Sequence, residues 1–389
     1  MKTILLAGAL LLTSGIFTRC TAHTRPESAA TDPQGDHHAP DTDNTRVQVA
    51  LLLDTSNSMD GLIDQAKSRL WNIVNTLTTL KYKGKTPVVE IALYEYGNDG
   101  LSGESGYIRQ LTALTTDLDL ISEKLFSLRT NGGNEYCGAV IGQAVKKLRW
   151  SNNSTAMKLV YIAGNEPFDQ GNVSYKEMIS DAVAHDIYIN TIFCGNREEG
   201  IDTYWKDGAE RGKGKYFNID SDRKVRFIET PYDKRIEACN EKVNKTYLGY
   251  GTAGSARKSY QELQDANART VSAANYTERA VSKSKAMYKN AEWDLVDKVK
   301  DDKRALEKLS PEDMPGELKG KNKAEIAAIV AGKAKEREAL QKEIAQLARE
   351  RQAYIDEAMK KEDTKDDLGA AISNTILELA RTKGYVAVQ

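Results

Sequence analysis

Cysteine is scarce. Four in 389 residues make no disulfide scaffold, so stability has to come from a packed core. Histidine is equally rare, at four, and three of these (His23, His37, His38) fall before residue 45. The fourth, His185, has no Ser or Cys nucleophile signal beside it and reads as a surface or capping residue. No charge of one sign prevails: 55 basic and 56 acidic residues leave a net charge of −1, so nothing global draws the chain to nucleic acid. Beyond the amino terminus no run reaches the roughly 18 apolar residues a membrane-spanning helix needs. Gly-x-Ser-x-Gly, P-loop and zinc spacings are all missing, so no catalytic residue is nominated and a non-enzymatic role is expected.

What is present begins with an export signal. Lys2 supplies a short positive region and Ile4 to Phe17 an apolar core, giving a signal peptide over 1–20. A cut before Cys20 would leave a lipid-modified cysteine, against which Arg19 speaks; a cut after Ala22 would leave a plain exported protein. Residues 21–44 are polar and hold Pro26, Pro33 and Pro40, the composition of a disordered tether. His37-His38 in that tether has no ordered surroundings to fix a metal. The expected location is the periplasm or, as a lipoprotein, the membrane surface.

The next segment organises the rest. Val47 to Leu53 is an apolar, β-forming run; Asp54-Thr55-Ser56-Asn57-Ser58-Met59 follows; then Leu62, Ala66, Leu70, Ile73, Leu77 and Leu80 recur at helical spacing. A buried strand ending in a carboxylate and two hydroxyls puts those oxygens at the carboxyl end of a parallel sheet, where open α/β sheets bind ligands. Oxygen-only ligands suit a hard cation such as Mg²⁺.

Asp54-x-Ser56-x-Ser58 after an apolar strand resembles the first loop of the metal-ion-dependent adhesion site of von Willebrand factor type A (VWA) domains. The resemblance implies a doubly wound, mostly parallel six-stranded sheet with one antiparallel edge strand. Strands are expected at Val88–Tyr96, Tyr107–Leu111 (the antiparallel edge), Leu159–Ala163, Ile187–Cys194 and Lys215–Ile219. Helices are expected from Asp117, capped by Thr116, to Leu128, from Tyr175 to His185, and as one helix from Gly200 to Gly212. A last helix opens at Thr230-Pro231. Together 45–251 form the VWA domain.

The other two loops of the site depart from the family pattern. After Gly132-Gly133, where the family carries a ligating Thr, stand Asn134 and Glu135. Gly164 stands where the family's Asp belongs, followed by Asn165 and Glu166. One loop of three keeps its standard form. The expected metal set is Asp54, Ser56, Ser58, Asn134, Glu135 and Glu166, with Mg²⁺ as the implied ion; the alternative is metal-free recognition through hydrogen bonds. Cys137 and Cys194 both fall near this end of the sheet. They either form a disulfide in an oxidising compartment or remain small buried thiols.

Residues 252–389 shift to Ala, Lys, Glu, Gln and Asp. Leu340, Ile344, Leu347, Arg351, Tyr354 and Ala358 mark a heptad-like seam, Ser310 to Gly316 breaks the helices, and Leu368, Ile372, Ile376 and Leu379 form a third stripe. A long-helix hairpin or coiled coil is expected, either an arm for partners and oligomerisation or a cover on the VWA domain. The function this implies is a binding module for a protein or glycan at the cell envelope. The alternative is an accessory or assembly subunit of an envelope enzyme or transporter, docked through the arm.

Overall fold

The computed structural model describes residues 45–219, 227–360 and 368–388. The signal peptide over 1–20, the Cys20 anchor and the tether over 21–44 lie outside the described residues.

Strand β1 (Arg46–Asp54) is buried along nearly its whole length, as its continuous apolar run requires. Helix α1 (Asp60–Thr78) follows, then a short β2 (Leu80–Tyr82), β3 (Val88–Tyr96) and β4 (Ile108–Thr115). Next come α2 (Leu118–Ser127), α3 (Cys137–Lys147), β5 (Met157–Gly164), α4 (Tyr175–Ala184), β6 (Ile187–Cys194), α5 (Arg197–Asp202), α6 (Trp205–Arg211) and β7 (Lys213–Ile219). The main sheet has six strands in the order β4-β3-β1-β5-β6-β7, all parallel except β4. This is the sheet expected of a VWA fold.

Register fixes the site. Asp54 pairs with Tyr96 on β3, and Leu53 pairs with Ala163 on β5, one residue before Gly164. Three carboxyl-terminal strand ends therefore lie side by side at the centre of the sheet.

Alternation along β1 divides the core. Val47, Val49, Leu51 and Leu53 face a layer with α1 and α2, whereas Ala50 and Leu52 face α3, α4 and Trp205. Cys194 belongs to the first layer and Cys137 to the second, and both are free buried thiols. The sheet stands between them, so of the two alternatives the buried thiols hold and no disulfide forms: successive β6 side chains alternate faces, and Cys194 takes the face away from Cys137.

Some boundaries differ from expectation for local reasons. Asp117, not Thr116, caps α2, accepting from Leu120 N at 3.0 Å. The single helix expected over Gly200–Gly212 is two, broken at Tyr204 with φ 71°. His185 caps α4, its Nδ1 2.8 Å from the Asp181 carbonyl.

The remainder is α7 (Asp233–Asn244), α8 (Gly254–Val271), α9 (Ala273–Lys283), α10 (Leu295–Asp301), α11 (Ala305–Lys308), the long α12 (Lys323–Lys360), α13 (Leu368–Thr382) and β8 (Tyr385–Ala387). This carboxy-terminal region is helical, and it covers the α1 side of the sheet. Seam residues Leu340, Ile344 and Leu347 are buried with Ile236, Cys239 and Val243 of α7. Ile372 and Ile376 of α13 are buried in the same layer; the Leu368 side chain lies outside the described residues. Finally, β8 pairs antiparallel with β2.

Buried ion pairs pin these layers. Arg279, fully buried, reaches Asp119 of α2 at 2.8 Å and Asp265 of α8 at 2.6 Å, over the Trp71 ring of α1. Arg337 of α12 reaches Asp294 at 2.7 Å and stacks 4.0 Å from the Tyr247 ring centre. Arg351 reaches Asp233 at 2.8 Å. Arg337 and the seam residue Arg351 thus anchor α12 through buried ion pairs.

Candidate functional site

The Asp54 loop is built by its own short-range bonds. Asp54 Oδ1 accepts from Ser56 N at 2.7 Å, an Asx turn that curls the chain at the strand end. Ser56 and Ser58 hydroxyls lie 3.2 Å apart. Thr55 is turned inward: its N–H donates to the Tyr96 carbonyl at 2.9 Å and its hydroxyl faces Glu95 Oε2 at 3.3 Å.

The second loop is laced to the first. Asn131 N donates to the Thr55 carbonyl at 3.0 Å, and Asp99 N donates to the Gly132 carbonyl at 2.5 Å. Gly97 adopts φ 77°, and a Cβ there would lie 2.7 Å from Asp54 Oδ1 and 2.8 Å from Glu135 Cγ. Only a glycine lets the two carboxyl groups close over that point. The Thr130 hydroxyl donates to Asp60, away from Asp54.

The third loop enters through Asn165, which donates to the Ser58 hydroxyl at 3.1 Å. Gln170 Oε1 accepts from Glu135 N at 2.8 Å. The Glu166 carbonyl accepts from Trp205 Nε1 at 2.8 Å, while its side chain is exposed. Of the residues nominated from sequence, Asp54, Ser56, Ser58 and Glu135 are brought together. Asn134 and Glu166 are exposed around them. Tyr96, Trp205 and Gln170 were not read from sequence, because nothing local marks an aromatic at a strand end or a glutamine in a loop as a wall of this site. Asn165, a neighbour of the expected ligands, stands closer to Ser58 than the flanking glutamate's role suggested.

Three acceptor oxygens here have no hydrogen-bond partner although they are buried: Asp54 Oδ2, Glu135 Oε2 and Asn165 Oδ1. Burial is the main cause that pushes the Asp54 carboxyl well above its usual range; Glu135 beside it adds to this and Ser56 opposes it. Burial likewise raises Glu135, with the Glu166 charge adding and bonds from Asp54 and Ser56 opposing. Two buried carboxyl groups side by side hold either a shared proton or a cation.

The donor set fits a hard cation: two carboxylates, two serine hydroxyls and an amide oxygen, all oxygen. Among the described residues no group of three or more His, Cys, Asp and Glu side chains gathers to hold a metal, so neutral oxygens would complete any shell here. Beneath the pair lie Tyr96, whose hydroxyl donates to the Ala163 carbonyl at 2.9 Å, and Cys137, 3.8 Å from that hydroxyl. Burial pushes both well above their usual values, so neither supplies a charge.

No family model matches the sequence, and no curated protein matches it. Among solved structures the chain is similar to the conserved hypothetical protein BatB from Bacteroides thetaiotaomicron, at 15% identity and a TM-score of 0.34 over 45% of this chain and 90% of that one. It is similar to an aerotolerance-related membrane protein from Bacteroides fragilis, at 15% identity and a TM-score of 0.31 over 45% of this chain and 92% of that one. It is also similar to the SpRpn10 VWA domain, at 15% identity and a TM-score of 0.33 over 44% of this chain and 87% of that one.

Proposed function

We propose that this chain is a non-enzymatic binding module, exported to the cell envelope, that engages a macromolecular partner through the face carrying Asp54. The observation that carries this reading is the trio of buried, unpartnered oxygens on Asp54, Glu135 and Asn165. Leaving a buried acceptor unsatisfied costs about 1–3 kcal/mol each, so three in one spot mark a place prepared for a ligand. A divalent cation such as Mg²⁺ would be held by Asp54, Ser56, Ser58, Glu135 and Asn165, and would supply a positive centre on which a partner oxygen could settle. Asp54 and Glu135 anchor, the serines orient, and Tyr96 and Trp205 wall the pair off from the core.

Export rests on the sequence of residues 1–20. No described helix is long and apolar enough to cross a membrane. The reading in which a helical arm docks an envelope enzyme or transporter has less to support it. The seam that would have served as the arm's docking face is buried against α7 and anchored by Arg337 and Arg351.

Calorimetric titration of the full chain with Mg²⁺ tests the proposal. Binding heat is expected for the native chain and its loss by at least about tenfold in affinity for Asp54→Ala. Equal heats from the two proteins would overturn the metal assignment.

A further inference from the structure

The carboxylates around the Asp54–Glu135 pair extend beyond it. Asp60, Asp99 and Glu166, from three separate segments, are exposed, and among the described residues none has an ion-pair partner. They lie on the segments that follow β1, β3 and β5, whose carboxyl ends stand side by side. Asp60 accepts from the Thr130 hydroxyl, Asp99 N donates to the Gly132 carbonyl at 2.5 Å, and the Glu166 backbone N–H and charge both bear on Glu135. Two cations lie near these segments: Arg129, whose Nη1 donates to the carbonyls of Leu128 at 2.7 Å and Phe126 at 3.1 Å, and Lys67, which pairs with Asp64 at 3.8 Å and feels the Asp60 charge. Glu104 and Asp169, on the segments that follow β3 and β5, are exposed as well.

An acidic ring alone would be a solvated surface. Here it stands over Asp54 and Glu135, 0% and 3% exposed, each with an unpartnered oxygen. A bound divalent cation would balance those two inner carboxylates and would leave Asp99 and Glu166 still without an ion-pair partner among the described residues. These two charges therefore face a ligand whether or not a metal is present. A partner carboxylate, the group that a metal-dependent adhesion site would be expected to take, meets repulsion from Asp60, Asp99 and Glu166.

The rim also has aromatic faces. Tyr204 is 44% exposed, held outward by its φ of 71°, and its ring stands 6.4 Å from that of Tyr175. The Lys176 ammonium lies 6.0 Å from the Tyr204 ring centre and 5.7 Å from that of Tyr175, so these rings stack an ammonium, and Lys176 is the cation that a bound segment would join or displace there. Carboxylates that neutralise and tyrosines that stack are the pairing recognised by Lys and Arg side chains on a polypeptide.

We infer that the opening over Asp54 and Glu135 receives a Lys- or Arg-bearing polypeptide segment of a protein partner. This rests on the reading of that face as the binding face, and not on the metal. The segment's cations meet Asp60, Asp99 and Glu166, and its stems lie against the Tyr204 side of the rim.

Fluorescence polarisation of the full chain with three labelled probe peptides of equal length tests it: alternating Lys-Ser, Glu-Ser and Gly-Ser, with Mg²⁺ and with a chelator. At about 50 mM salt the Lys-Ser peptide is expected to bind at least about tenfold tighter than the Glu-Ser peptide in either condition, and to weaken steeply as salt rises. The triple variant Asp60→Asn, Asp99→Asn, Glu166→Gln should lose about fivefold or more and flatten the salt dependence. Tyr204→Ala, a substitution at an exposed position, should lose about threefold and covers the case in which the triple variant fails to fold. Equal or tighter binding of the Glu-Ser peptide overturns the inference, as does Lys-Ser binding that both variants leave unchanged. Absent Mg²⁺ heat with Lys-Ser preference intact would remove the metal and leave this inference standing. Mg²⁺ heat with Glu-Ser preference would do the reverse.

Discussion

Gly164 occupies the strand-end position where the adhesion site of the VWA family carries the Asp of its third loop. A Cβ built there would lie 2.5 Å from the Tyr96 hydroxyl, 3.2 Å from Trp205 Cη2 and 3.1 Å from Asp54 Oδ2. Its neighbours fill the space that a side chain here would take. Gly164→Ala should cost about 1–3 kcal/mol by overpacking. In a Tyr96→Phe background, which removes the nearest atom, the same change should cost roughly 1 kcal/mol less, with Trp205 keeping part of the penalty. A double-mutant cycle by denaturant unfolding reads this coupling, and strict additivity would contradict the steric account. The Asp54–Glu135 pair leads to a second expectation. Folding raises both carboxyl groups, so the folded state holds protons the unfolded chain gives up. Their stability contribution is full below the unfolded values and is lost as pH rises through the folded ones. Asp265 runs the other way, held well below the usual range by Lys283 and Arg279 against its burial, but its loss falls at far lower pH. The melting temperature of metal-free protein should thus fall as pH rises above the usual carboxylate range, and Glu135→Gln should flatten that fall. A pH profile unchanged by the substitution would show that the two groups do not titrate against each other.

At the scale of elements, what could be read in the sequence followed periodicity, and what could not followed distant contacts. β3 and β6 appear with the expected limits because VVEIALYEY and IYINTIFC are apolar runs bounded by turn residues. The Asp54 loop was legible because its carboxylate and hydroxyls sit at fixed offsets from a strand end. The break between α5 and α6 was not, since no glycine or proline marks it. Tyr204 turns left-handed so that Trp205 can lodge with Phe168 at 4.8 Å and Phe193 at 5.8 Å, and can donate to the Glu166 carbonyl. Those partners lie on other elements, and no local pattern announces them. The same holds inside the site: Glu135 rather than Asn134 turns inward because Gln170, 35 residues on, accepts its N–H. Three-residue β2 and β8 escape notice because each is defined only by the other, across most of the chain.

At the scale of the molecule, the sheet domain and the helical region share a core. Ile372 and Ile376 of α13 are 3% and 0% exposed in the layer that holds Leu51, Leu53 and Trp71, and Tyr161 of β5 donates to the Ile372 carbonyl at 3.4 Å. Ile372 also closes one side of a cavity of about 20 Å³ under α1. The Tyr385 hydroxyl donates to the Thr155 carbonyl at 2.8 Å and the Arg46 carbonyl at 3.1 Å, at the opposite end of the sheet from Asp54. Each buried isoleucine is worth roughly 1.5–3 kcal/mol, and removing the helical region would also expose part of the α1 layer that it covers. Against a typical total of about 5–15 kcal/mol, losing both leaves little. A fragment of residues 45–251 is therefore expected to lack a cooperative melt, although by sequence it contains every strand of the main sheet. A chain of residues 45–389 should unfold in one transition. Differential scanning calorimetry of the two decides it: a fragment melting cooperatively within a few degrees of the longer chain would show that the helical region merely rests on a self-sufficient domain.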